Sequence, residues 1–334
     1  MESSRARRRR RARPSRRRPL LCTALAAVTM VGGTAAGTAY VKARAHTGPV
    51  SSAASPSASS SAPAGGEASV EPVAEPSADR EALLAKAMKA VTVPSAAKVS
   101  TAVLDLDSGA SATYGDALFD TASIVKVDIL ATLLLQAQDA GRNLTATEKA
   151  YATKMIENSD NDSATALWHA IGAADGLDAA NKRFGLTDTA GGDGELWGLT
   201  QTTAADQLVL LQQVFGDDSR LSEASRAYVQ GLMKAIEPDQ DWGVSAAADG
   251  SAWALKNGWL ARSTTGLWDV NSIGRVTAGG DDYLVAVLSN GNAGQATGIS
   301  LVEAAAKATV SVFTGNGATP SASPTASSTA SERG

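Results

Sequence analysis

Apolar residues recur at helical spacing from Asp79 onward: Leu83, Leu84, Ala87, Met88 and Val91 share a face until Pro94 stops the run. Val99 to Leu106 then reads as a strand, Asp107-Ser108-Gly109 as a turn and Ser111 to Tyr114 as its hairpin partner. The next segment, Ser123 to Ala140, is apolar nearly all round, as in a helix buried on every side, and Gly141 supplies its stop. Thr145-Ala146-Thr147-Glu148 matches a capping box and opens a helix that carries Tyr151, Met155 and Ile156 up to Asn158. Helical patterns resume over Asp162 to Ile171, Asp175 to Phe184, Thr203 to Phe215 and Ser222 to Ile236. After Pro238 the pattern turns to strands, Trp253 to Trp259, Gly266 to Val276 and Tyr283 to Ser289, the last two joined through Gly279-Gly280. Ser300 to Phe313 closes the chain as a helix. Strands with helices at both ends around a helical middle predict an α/β (α+β) fold, a sheet subdomain plus an all-helical subdomain with a cleft between them.

Composition removes both ends from that folded unit. Residues 1 to 18 hold ten arginines against one acid, Glu2, which leaves 20 bases against 33 acids elsewhere, a net of −13. The basic cluster is therefore a targeting feature, and no nucleic-acid surface is expected on an acidic body. Leu20 to Val41 is apolar or small throughout and leads to Ala43-Arg44-Ala45, a signal-peptidase-like site, so residues 1–45 are expected to export the protein. The run is also about the ~20 residues that span a bilayer, so either cleavage or a retained membrane anchor is expected, with an extracellular or cell-surface address. His46 to Ala78 is Ser, Ala, Pro and Gly with a few acids, too poor in large apolar groups to fold; residues 46–78 read as a tether and residues 316–334 as a disordered tail. The folded domain is assigned to 79–315.

Within that domain the chemistry is narrow. Cys22 is the only cysteine and lies in the apolar run, so the folded part has no disulfide. With His46 in the tether, His169 is its single histidine, which excludes a zinc hydrolase and leaves a Ser-His-Asp triad without a G-x-S-x-G elbow. Between Trp168 and Ile171, His169 reads as a packed or surface residue. Ala122-Ser123-Ile124-Val125-Lys126 offers something else. A serine opening an apolar helix with lysine three residues on places hydroxyl and amine on one face, a nucleophile and a base within reach. The helix N-terminus favours an oxyanion, and burial would strip the lysine of its proton. Ser95-Ala96-Ala97-Lys98 repeats the spacing but leads into a β-branched stretch, and is read as structural.

Two further motifs follow in order, Ser159-Asp160-Asn161 at a helix corner and Lys256-Asn257-Gly258 in a strand. With all three, residues 79 to 315 resemble the penicillin-recognising serine hydrolases, most closely class A β-lactamases and their actinobacterial relatives. The resemblance implies a β-lactamase/D,D-peptidase-like fold with an antiparallel sheet. It implies Ser123 as nucleophile, Lys126 as proton acceptor or relay, Ser159 as the group that passes a proton to the leaving nitrogen and Asn161 as the holder of substrate amide and lysine. Asp160 caps the following helix. Lys256 would meet a substrate carboxylate and lower the pKa of Lys126, Asn257 would take the place of a hydroxyl residue beside that carboxylate, Gly258 would let backbone approach substrate, and the N–H of Trp259 would pair with that of Ser123 as an oxyanion hole. Arg262 and Arg275 are further candidates for the carboxylate clamp.

Departures from the family pattern set the remaining expectations. Asn257 stands where Thr or Ser is usual, and an interval of 36 positions from Ser123 to Ser159 implies a trimmed helical subdomain. Thr200 to Thr203 resembles the helix start that follows the family's deacylating glutamate, and Glu195 is the only glutamate in the preceding Gly185 to Leu199; it is the candidate deacylation base, with Asp193 and Asp188 as the other acids. The expected function is an exported monomeric serine hydrolase, without cofactor or metal, acylated at Ser123 by β-lactams or related amides and then hydrolysed. Its alternatives are a D-alanyl-D-alanine peptidase acting on peptidoglycan stems and a degenerate cell-wall-binding homologue.

Overall fold

Period-two alternation in a few long strands sets the architecture, because each such strand must bury two faces against different partners. A computed structural model describes residues 77–315. The segments 1–45 and 316–334, the apolar run Leu20 to Val41 and nearly all of the tether lie outside the described residues. Among the described residues no helix is long and apolar enough to cross a membrane. The chain opens with α1 (Ser77–Met88), β1 (Lys98–Asp105), β2 (Ser111–Tyr114) and the two-residue β3 (Phe119–Asp120). The helical middle follows: α2 (Val125–Asp139), α3 (Ala146–Glu157), α4 (Asn161–Ile171), α5 (Ala173–Phe184), the short β4 (Gln201–Thr202), α6 (Ala204–Phe215) and α7 (Glu223–Lys234). The chain then returns through β5 (Trp253–Ala261), β6 (Trp268–Ala278), β7 (Asp281–Asn292) and α8 (Gln295–Ser311).

Five strands form an antiparallel sheet in the order β2-β1-β7-β6-β5, so the first and last strands of the domain pair at its centre, Lys98 against Asn290 through Asp105 against Tyr283. Ala102, Ala254, Ile273, Leu284, Ala286 and Leu288 face the helical subdomain. Their neighbours Val103, Leu255, Val285 and Val287 face the other way, onto Leu84 and Met88 of α1 and Val302, Ala306 and Val310 of α8. On the helical side α2 is the hub: every residue from Val125 to Leu135 is buried. Each buried Leu or Ile there contributes about 2 kcal/mol of transfer free energy. The expected capping box forms, with Thr145 Oγ1 accepting from the Glu148 N–H at 3.1 Å and Glu148 accepting from the Thr145 N–H at 2.7 Å.

Three expectations shift. Ser123 does not open the α-helix; it lies in a 3₁₀ turn, Ala122–Ile124, that runs into α2. The strand expected to end at Trp259 continues to Ala261. The last helix starts at Gln295, five residues before Ser300, because Gly298 is needed there: a Cβ on it would lie 2.3 Å from Val270 Cγ2, so close packing on β6 outweighs poor helix propensity. The ribbon of β3 and β4 gives no periodic signal at two residues each. Lys98 of the duplicate Ser-x-x-Lys spacing is exposed at the start of β1.

Candidate active site

The turn carrying Ser123 is held by backbone before any side chain reacts. Asn271 of β6, fully buried, donates its amide to Asp120 O at 2.9 Å and Thr121 O at 3.0 Å. The Thr121 N–H bonds Thr200 O at 2.9 Å. Ala122 then takes φ 49°, a left-handed conformation that an alanine adopts only under surrounding constraint. On the other side lies β5, the sheet edge. A Cβ on Gly258 would sit 2.7 Å from Ser123 N, 2.8 Å from Ile124 N and 2.8 Å from Thr121 O, so only glycine lets this edge press on the serine turn.

Around that turn three separate segments meet. Lys126 Nζ donates to Ser123 Oγ at 2.9 Å, Asn161 Oδ1 at 2.8 Å, Ser159 O at 2.6 Å and Ser159 Oγ at 3.1 Å. Lys256 Nζ reaches the same Ser159 Oγ at 3.1 Å and the Asn257 carbonyl at 3.0 Å. Ser159 is a second non-glycine in the left-handed region, φ 56°, at the α3–α4 corner, and that bend aims both its oxygens at the amines. Asp160 caps α4, its Oδ1 accepting from the Ser163 N–H at 2.8 Å.

Both lysines are buried, and among the described residues no carboxylate is hydrogen-bonded to either. Burial disfavours the ammonium form and pulls Lys126 down from 10.5 to about 7, with the Asp160 charge partly opposing. Burial lowers Lys256 well below its ordinary value, and the positive charge on Lys126 lowers it further. A buried amine that loses its proton near neutral pH, in contact with a hydroxyl, can act as its general base. The Ser159 hydroxyl, shared by two amines, can relay a proton.

The cleft above, about 550 Å³, is lined by Ser123, Asn161, Thr165, Glu195, Trp197, Trp259 and Arg262 among others. Its roof is the loop ahead of β4. The Trp197 ring centroid lies 5.0 Å from Lys126 Nζ, and its indole N–H donates to Thr165 Oγ1 at 3.1 Å. Trp168, one turn along α4, donates to Gly194 O at 2.8 Å, and His169 pairs with Glu195 at 3.1 Å. One face of α4 thus pins the loop at successive positions.

Most of the residues singled out from sequence converge: Ser123, Lys126, Ser159, Asn161 and Lys256 are joined by hydrogen bonds, Gly258 touches the serine turn and Trp259 lines the cleft. Asn257 does not join them. With Lys256 and Gly258 on the helical face of β5, strand alternation turns Asn257 to the opposite face, where its amide donates to Gln240 O at 2.7 Å and Trp242 O at 2.9 Å. Glu195 stands at the cleft rim, its side chain 61% exposed and paired with exposed His169 rather than with the lysine network. Neither Asp188 nor Asp193 is a hydrogen-bond partner of Lys126. Arg275 pairs with Asp282 at 3.3 Å, and Arg262 reaches the cleft already bound to Asp120. Sequence reasoning missed Asn271, Trp197 and Thr165. None of the three left a distinctive signal: Asn271 is one of several polar residues in β6. Among the described residues no group of three or more His, Cys, Asp or Glu is arranged to hold a metal ion.

A family model described as the beta-lactamase enzyme family matches residues 135–313. The matched span contains Ser159, Asn161 and Lys256 to Trp259; Ser123 and Lys126 lie just ahead of it. Among solved structures, PBP-A matches at 20% identity over 70% of this chain and 96% of its own, with a TM-score of 0.60. A class A beta-lactamase from Bacteroides cellulosilyticus matches at 16% over 72% and 98%, TM-score 0.60, and a beta lactamase from Xanthomonas campestris pv. campestris at 21% over 70% and 96%, TM-score 0.55. At these identities the structures establish a shared fold. No curated protein matches the sequence.

Proposed function

Because the chain belongs to the beta-lactamase enzyme family, we propose that it is a serine hydrolase acylated at Ser123 by β-lactams or related amides of the peptidoglycan stem, and that it releases the acyl group slowly. The observation that carries the first part is the 2.9 Å contact between Ser123 Oγ and an amine whose pKa is about 7. Neutral Lys126 takes the Ser123 proton as Oγ bonds to the carbonyl carbon, and the displaced electron pair becomes an oxyanion facing the N–H groups of Ser123 and Trp259. Collapse breaks the carbon–nitrogen bond. The proton travels from Lys126 through the Ser159 hydroxyl to the leaving nitrogen, and an ester remains on Ser123. Lys256 contacts the same Ser159 hydroxyl, and burial beside the Lys126 charge disfavours its own ammonium form; the low pKa of Lys126 comes from burial, not from a charge on Lys256.

Slow release follows from what surrounds the ester. Hydrolysis needs a base beside the attacking water, and the side chain over Lys126 is the Trp197 ring, with the nearest loop glutamate paired to His169. A mutant of PBP-A is known as an acyl-enzyme complex with penicillin G, which accords with a long-lived ester in this fold. Glu195 lines the same cleft as Ser123, so a hydrolytic role for it remains the second reading. Export is part of the proposal and rests on Leu20 to Val41 and the arginines ahead of it.

Intact mass after mixing with benzylpenicillin, followed over time, is the test. The expected result is a rapid gain of one penicillin per chain that decays over many minutes, and no gain in Ser123→Ala. Absence of any adduct on the wild-type protein removes the proposal. Rapid release that Glu195→Gln slows would give deacylation to Glu195 instead.

A further inference from the structure

Past Trp259 the cleft runs to Arg262, which also lines a second cavity of about 290 Å³ together with Asp120, Thr264, Asp269 and Asn290. The charges there do not balance. Asp120 is bound to the Arg262 guanidinium and the Gln201 amide. Asp269 is 5% exposed; its Oδ2 lies 3.9 Å from the same guanidinium and receives no hydrogen bond from the described residues. Two carboxylates thus share one cation. Strand alternation places Asp269 here: Trp268 and Val270 face the α1 and α8 layer, and Asp269 shares the opposite face with Asn271 and Ile273. Burial pushes its carboxyl up to about 6, so it is largely ionised at neutral pH, with the Arg262 charge favouring the anion.

An anionic substrate group is poorly served at this end, since Arg262 is committed to two acids. A primary ammonium fits: it would supply the missing charge and a donor for the open oxygen of Asp269, with Thr264 and Asn290 as further acceptors. Its place on the substrate follows from the proposed mechanism, on which this inference rests. The leaving nitrogen lies toward Ser159, so the acyl side chain extends the opposite way along β5, past Trp259 to Arg262. We propose that Asp269, with Asp120 and Arg262, forms a recognition site for an amine on the acyl side of the substrate, and that the protein selects ammonium-bearing acyl donors.

Benzylpenicillin and ampicillin differ by one such ammonium on the acyl side chain, and N-acetylated ampicillin restores neutrality at similar size. Second-order acylation rates for the three, measured on the full chain near neutral pH, decide the matter. Ampicillin should react about tenfold faster than the other two, the equivalent of one charge-assisted contact, and raised salt should shrink the ratio. In Asp269→Asn the ratio should fall toward one. Equal rates for all three on the wild type, or an unchanged ratio in the variant, overturn the amine site while leaving acylation at Ser123 intact. Failure of all three to acylate overturns the proposed function and this site with it. Should Asp269→Asn not fold, the wild-type ratio and its salt dependence carry the decision alone.

Discussion

Lys126 and Gly258 show how single residues here trade ordinary behaviour for position. Lysine in water holds its proton far above neutrality; buried against Ser123, Ser159 and Asn161 it gives it up at about 7. Only the neutral amine accepts the Ser123 proton, so the acylation rate should rise tenfold per pH unit below about pH 7 and level off above it. Stopped-flow acylation from acid to mildly alkaline pH checks this, and a flat profile across neutrality would take Lys126 out of the base role. Gly258 contributes an absence. Its missing Cβ lets β5 lie on the amides of Ser123 and Ile124, and an alanine would stand 2.7 to 2.8 Å from three backbone atoms that cannot rotate away. We expect Gly258→Ala to slow acylation by about 100-fold, the usual cost of a displaced oxyanion donor, and to lower stability by about 1–3 kcal/mol through overpacking. Wild-type acylation in that variant would mean that the edge strand does not set the oxyanion geometry.

At the scale of elements, the decisive pair is α4 and the loop it holds. Thr165, Trp168 and His169 lie on one helical face and engage Trp197, Gly194 and Glu195 in turn. Asp178 of α5 holds the same loop from the other side, accepting from the Gly191 N–H at 2.7 Å. The loop therefore presents an indole ring, rather than a carboxylate, to Lys126. Desolvation is the first cause of the low Lys126 pKa, and Trp197 is part of what keeps water away. Trp197→Ala should move the rising limb of the acylation profile toward higher pH and shorten the life of the acyl-enzyme. Both are read in the same stopped-flow and mass experiments, and an unmoved limb would show that the ring does not shield the amine.

For the whole molecule, α2 is the axis about which helices and sheet assemble, and its buried acid puts a pH dependence into the fold. Asp128, fully enclosed, accepts from Asn181 Nδ2 at 2.9 Å, yet burial raises its carboxyl from 3.8 to about 7, with Asp178 and Asp206 adding repulsion. Between those values the folded chain holds a proton that the unfolded chain has lost, so stability falls as pH rises from about 4 to about 7, by up to about 4 kcal/mol in total. An Asp128→Asn side chain escapes this penalty and can donate to Asn181 Oδ1, which has no partner among the described residues. Asp128→Asn should therefore be more stable than wild type at about pH 8 and nearly equal at about pH 4, a comparison made by denaturant unfolding at both. A constant difference across pH would assign the effect to packing alone. What was legible beforehand follows the same division. Local spacing decided the elements, the capping box at Thr145 and the pairing of Ser123 with Lys126, because helical periodicity and side-chain reach act within a few residues. Alternation along β5 is equally readable, but which face looks into the cleft is not, and Asn257 serves the backbone at Gln240 and Trp242. Trp197 over Lys126, Asn271 under the serine turn and Asp269 beside Arg262 join residues 71, 150 and 7 positions apart with no shared pattern. Only the packing of β5, β6, α4 and the loop before β4 brings them together, since burial is a property of the assembled sheet and helices, not of any one stretch of chain.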